Sequence, residues 1–211
     1  MFGIHDLGLF MISGLLLNMA PGPDSLLIVT RSAAQGWRAG SAAALGIGSG
    51  TLMHIIAAAL GLSAILATSA TAFSIVKYIG AIYLLYIGVG LLLSKTAAVT
   101  AVVDETLAPL SLRRIYVQGL LTNLFNPKVA IFFLAFVPQF ISPQAENKAL
   151  AFIILGCIFN LNGMLWCHLL AVTSAMASQR LQASRAVSQW LNRLIGALFI
   201  SFGIKLALVD R

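Results

Sequence analysis

The chain has 211 residues, of which 60% are hydrophobic and 9% charged, and its mean hydropathy is +0.97. Soluble domains carry about 25% charged residues, so these proportions exclude an aqueous globule and indicate an integral membrane protein. The net charge of +7 does not indicate nucleic-acid binding, because the basic residues are scattered between apolar runs and form no dense patch.

Six apolar segments have the roughly twenty-residue length that crosses a bilayer as an α-helix. The first, Leu7–Val29, is interrupted by Asn18-Met19-Ala20-Pro21-Gly22-Pro23-Asp24. Its position suggests a cleaved signal peptide. It has no basic n-region, however, and its polar break falls where such a core should run unbroken, so it is read as a span. Proline lacks a backbone donor and clashes with the preceding turn, so a helix splits here. The second segment, Gly40–Leu66, places Gly46, Gly50, Met53, His54 and Ala57 on one face. The third, Phe73–Leu93, carries Ile79-Gly80-Ala81-Ile82-Tyr83-Leu84, with Tyr83 and Tyr86 as possible stacking partners for a substrate. The fourth, Ile115–Val137, is broken by Asn123-Leu124-Phe125-Asn126-Pro127-Lys128. The fifth, Ala149–Val172, places Asn160, Met164, Cys167 and His168 on one face, and the sixth, Trp190–Leu208, contains Ile195-Gly196-Ala197-Leu198-Phe199-Ile200. Cys157 and Cys167 fall on one helix about 15 Å apart, too far for a mutual disulfide.

Loop charges orient these spans. Arg31 and Arg38 lie between the first and second, Lys95, Arg113 and Arg114 between the third and fourth, and Arg180 and Arg185 between the fifth and sixth. The other side has little beyond Lys77, Lys148 and Arg211. The positive-inside rule puts the odd-numbered connections in the cytoplasm and both termini outside.

The broken motifs, the Leu-Gly stretches leading to His54 and His168, and the Ile-Gly-Ala segments recur in the same order in both halves. Three spans per half make the second half enter from the opposite side, as in many secondary transporters. The expectation is therefore an all-α membrane protein of six transmembrane helices in two inverted three-helix repeats, with helices one and four broken at their prolines. It forms a single membrane domain over residues 1–211, with repeats over about 1–94 and 115–211 joined by a cytoplasmic loop over 95–114.

Six spans in this length, Pro21-Gly22-Pro23 in the first, Asn126-Pro127-Lys128 in the fourth and the glycine segments of the third and sixth resemble the lysine exporter (LysE/RhtB) family. That resemblance implies a bacterial inner-membrane exporter of amino acids or their derivatives, driven by an ion gradient, usually of protons.

A charge beside a break at membrane depth is by default a functional site. The candidate binding residues are Asn18, Pro21, Gly22, Pro23, Asp24, Asn123, Asn126, Pro127 and Lys128. Pro23 suits the first position of a half-helix, Gly22 a sharp turn before it, and Asn126 an N-cap. Half-helix N-termini and Lys128 suit a substrate carboxylate, while Asp24 suits its ammonium or a proton. Asp24 and Lys128 could equally neutralise each other as a structural pair. Asp24, His54 and His168 are the proton-coupling candidates, although membrane histidines also serve as interhelical hydrogen-bonding groups. The partners expected are a small zwitterion, protons and the lipid bilayer, without nucleic acid, cofactor or metal; small-residue faces also allow a homo-oligomer. Two other readings are a haem-binding electron carrier using His54 and His168, and a passive channel. With no nucleotide loop, zinc-spaced cluster or nucleophile elbow, the chain is not read as an enzyme.

Overall fold

The computed structural model describes residues 2–62, 70–93 and 109–177, together with isolated helical positions between 193 and 208. The first expected span divides as its prolines require. Helix α1 (Leu7–Met19) and helix α2 (Pro23–Gln35) meet at a bend of 54°. Pro23 opens α2, where its missing N–H leaves nothing unpaired. Gly36, at φ +81°, ends α2 and leads into α3 (Trp37–Ala57), using a conformation that side chains disfavour. A π-turn over Ala58–Leu62 extends α3. Helix α4 (Ala70–Leu93) contains the third expected span.

The fourth expected span repeats the first. Helix α5 (Leu112–Leu124) and helix α6 (Pro127–Ile131), which continues as a π-turn (Phe132–Phe136) and a 3-10 turn (Val137–Phe140), meet at 48°. Ser111 caps α5 by accepting the Arg114 N–H, and Asn126 caps α6 by accepting the Lys128 N–H at 3.0 Å. Helix α7 (Lys148–Ala177) covers the fifth span. Among the described residues, two helices are long and apolar enough to cross a membrane, and each bent pair adds one more. Most of the sixth expected span, and the loop carrying Lys95, Asp104 and Glu105, lie outside the described residues.

Helix α3 is the hub, packing against α2, α5 and α7. Its contact with α5 is backbone to backbone: Gly46 faces the Tyr116 carbonyl, Gly119 faces that of Ala43, and Gly50 faces the Asn123 side chain. Any β-carbon at these positions would overlap its neighbour. One apolar core gathers Phe10, Phe132, Phe136, Phe152 and Phe159 between α1, α6 and α7; a second gathers Ile28, Ala43, Ile47 and Ile115 between α2, α3 and α5. The N-terminal segment is strapped to the connection after α6. His5 N donates to Phe140 O at 3.1 Å, Ser142 N to Gly3 O at 2.7 Å, and Ile4 bridges Ile141.

Candidate functional site

Breaking a helix leaves the last carbonyls of one half and the first amides of the other without intrahelical partners. At the end of α1 a cation from the second break meets this need. Lys128 Nζ donates to Ala20 O at 3.0 Å and to Leu17 O at 3.3 Å. A positive charge there also complements the negative end of α1. The ammonium lies against Gly22, where a β-carbon would stand 3.1 Å from Nζ. Gly22 itself is extended (φ −171°, ψ −178°), a backbone open to any residue. The expectation that this glycine serves a tight turn is therefore corrected; what it provides is close approach for Lys128.

Asp24 stands in the first turn of α2, where the positive end of the helix favours a carboxylate. Its side chain is buried, and Oδ2 accepts from Asn123 Nδ2 at 2.7 Å. Asn123 is the junction of a larger network: its Oδ1 accepts from Thr51 Oγ1 at 3.3 Å, and its carbonyl lies 3.2 Å from His54 Nε2. No ion pair joins Asp24 to Lys128, since the pairing of His5 with Asp6 stands alone among the described residues. Each central charge is instead held by neutral dipoles.

Three buried atoms at the breaks have no hydrogen-bond partner: Asp24 Oδ1, Asn18 Nδ2 and Asn126 Nδ2. Buried polar atoms are nearly always paired, so such orphans ask for a ligand or water. Asn18 and Asp24, though not Asn126, line a cavity of ≈ 30 Å³. Asn18, Asp24, Thr51, Asn123, Lys128 and Asn160 supply its polar lining; Leu17, Ile47, Val129, Phe159 and Met164 supply the apolar lining. Its free volume holds about one water molecule and no amino acid.

The structure thus brings together Asn18, Asp24, Asn123 and Lys128, while Pro21, Gly22, Pro23, Asn126 and Pro127 shape the two breaks around them. The histidines lie elsewhere. His54 reaches the network through the Asn123 carbonyl and stacks on Phe133, with ring centroids 6.2 Å apart, whereas His168 Nδ1 lies 2.8 Å from Met164 O in its own helix. Neither lines the cavity. Tyr86 is 74% exposed, and the Tyr83 side chain lies outside the described residues. Sequence reasoning missed Ser25, Thr51, Phe159 and Gly163. Of these, Thr51 had a signal, one turn before His54 on α3; Gly163 packs against the Asn18 amide.

The sequence profile described as LysE type translocator matches residues 15–209. The leucine efflux protein of Salmonella typhimurium (strain LT2) is 27% identical over 206 residues, 98% of this chain and 96% of that protein. The leucine efflux protein of Enterobacter sp. (strain 638) is 29% identical, covering 98% and 97%. An uncharacterized membrane protein of Pseudomonas aeruginosa is 30% identical, covering 97% and 96%. No solved structure matches the chain.

Proposed function

This chain belongs to the LysE type translocator family, and from that premise we propose that it exports an apolar α-amino acid, of which leucine is the first candidate. It is a translocator rather than an enzyme. The observation that carries the reading is one cavity holding a partnerless carboxylate oxygen, Asp24 Oδ1, and a partnerless amide donor, Asn18 Nδ2. The two are opposite in kind, as the ends of a zwitterion are. The substrate ammonium would complete Asp24, and its carboxylate would take the Asn18 amide and the remaining proton of Lys128. Leu17, Ile47, Val129, Phe159 and Met164 offer its side chain an apolar surface. Leucine export by the named relatives supports that side-chain class.

A cavity of ≈ 30 Å³ must open to admit such a substrate. Alternating access about the two breaks is the proposed motion, and two features support an inverted repeat behind it. The bends of 54° and 48° are alike. In addition, the matching third and sixth segments approach through glycines, Gly88 against Gly196 and Ile200, and Gly203 against Ala81 and Leu85. In this reading Asp24 takes up a proton when no ammonium is present, so inward proton movement opposes outward substrate. The location is the bacterial inner membrane, with both termini outside. Neither haem binding nor passive conduction is favoured by any specific contact.

The test is efflux from preloaded proteoliposomes across an amino-acid panel, with and without an imposed proton gradient. Leucine-like substrates should move against their gradient when protons run the other way. Asp24→Asn should abolish that accumulation while keeping exchange, because asparagine can still accept from Asn123 but cannot change charge. Failure to move any amino acid would overturn the export reading. Downhill movement indifferent to the proton gradient would overturn coupling.

A further inference from the structure

Arg31 is a buried cation that the central site does not use. It is 7% exposed, sits on α2 and points its guanidinium at α5. There a single neutral oxygen, Gln118 Oε1, accepts from Nε at 3.2 Å and from Nη2 at 3.0 Å. Nη1 is buried without a partner. A guanidinium forks to match the two oxygens of a carboxylate, so one amide oxygen leaves it under-satisfied. A buried, uncompensated charge is strongly destabilising. Among the described acids none pairs with it: Asp6 and Glu146 lie at the strapped end with Phe2 and Gly3, and Asp24 bonds to Asn123.

The position of Arg31 has a direction as well. It follows Asp24 by seven residues, which puts both on one face of α2, about 10 Å apart along the axis. The loop charges assign that end of α2 to the cytoplasm. Gln118 is exposed, one turn from exposed Arg114 on the same face of α5, so the cap over Arg31 lies at an accessible, cationic margin. Arg31 and Arg114 put two positive charges near this margin, and positive charge raises the local concentration of anions.

We propose that Arg31 is a second binding position for the substrate's carboxylate, on the cytoplasmic approach to the cavity, with Gln118 holding the place until substrate arrives. The proposal rests on the export reading. An incoming amino acid exchanges its carboxylate for the Gln118 amide and then passes two turns along α2 to Asp24 and Lys128. An arginine of purely structural duty would gain nothing from so incomplete a partner.

The test measures initial leucine uptake at the cytoplasmic face of inverted vesicles as a function of concentration. Arg31→Gln should raise half-saturation about tenfold to a hundredfold, the scale of losing a charge-assisted hydrogen bond, with the maximal rate little changed. Gln118→Leu should lower half-saturation, because it removes the competitor for Arg31. A latch that only held the fold together would not lower it, and one that held the approach shut would lower it for leucine amide as well, whereas loss of a competitor for Arg31 lowers it for leucine alone. Leucine amide, which has no carboxylate, should bind Arg31→Gln and the unchanged protein equally well. If Arg31→Gln fails to fold, Gln118→Leu decides, and unchanged or higher half-saturation overturns the proposal; if that variant fails as well, equal half-saturation for leucine and leucine amide on the unchanged protein overturns it. A rise of the same size from Asp104→Asn with Glu105→Gln would assign the anion to the chain itself and also overturn it. Absence of any amino-acid movement by the unchanged protein overturns the export reading first.

Discussion

Lys128 makes no ion pair, and its ammonium is divided between two carbonyls at the end of another helix. Its spacing from Pro127 announced a charge at a break, but not which break it would serve, because a lysine stem reaches across several angstroms. The pairing with Asp24 that the sequence allowed does not form; Asn123 takes Asp24, and the broken end of α1 takes Lys128. Gly22 matters for the same reason, since a β-carbon there would stand 3.1 Å from the ammonium and crowd it. Gly22→Val should push Lys128 off Leu17 and Ala20. Lys128→Met should orphan the Ala20 carbonyl, at about 1–3 kcal/mol, while Leu17 O keeps the Ala20 N–H at 3.2 Å. The two changes remove one interaction, so the double variant should melt in detergent close to the worse single variant. Strict additivity of the two losses would show that Gly22 and Lys128 act separately.

The two breaks were legible because proline, glycine and an asparagine cap act through local backbone chemistry, which no bilayer conceals. The walls contributed by α3 and α7 were much less so. In a membrane, lipid-facing and core-facing surfaces are both apolar, so periodicity does not tell Thr51 or Gly163 from residues that face lipid. Asn160, Met164 and Cys167 were grouped rightly on one face, yet His168 in the same stripe turns to its own helix. The glycines of α3 were better signposts, because a small residue every fourth position lets backbones touch. Gly46→Val should drive methyl groups into the Tyr116 carbonyl and separate α3 from α5, at about 1–3 kcal/mol. Gly90→Val, in α4, meets nothing within 4 Å and should be tolerated. Equal melting temperatures for both variants in detergent would show that the α3–α5 contact does not hold the fold.

At the scale of the whole molecule, orientation and connectivity constrain each other. The strap between Gly3, His5 and the segment Phe140–Ser142 puts the N-terminus on the same side as the connection that follows α6. An even-numbered connection sharing a side with the N-terminus is what unbroken alternation of spans demands. The strap is met when the bent pairs α1–α2 and α5–α6 each cross once, and equally when both turn back; it excludes only one crossing while the other turns back. A re-entrant first pair would leave Gly36 on the same side as the N-terminus. The loop arginines separately predict that this shared side is the outside. Single cysteines settle both points on a background with Cys157 and Cys167 replaced by alanine. Gly8→Cys and Gln144→Cys should react with a membrane-impermeant maleimide added to intact cells, and Gly36→Cys only after permeabilisation. Labelling of all three from outside would make the first pair re-entrant and remove the inverted repeat. Reversal of all three would keep the repeat, place Arg31 on the outer face, and turn its proposed role from capture of substrate to release.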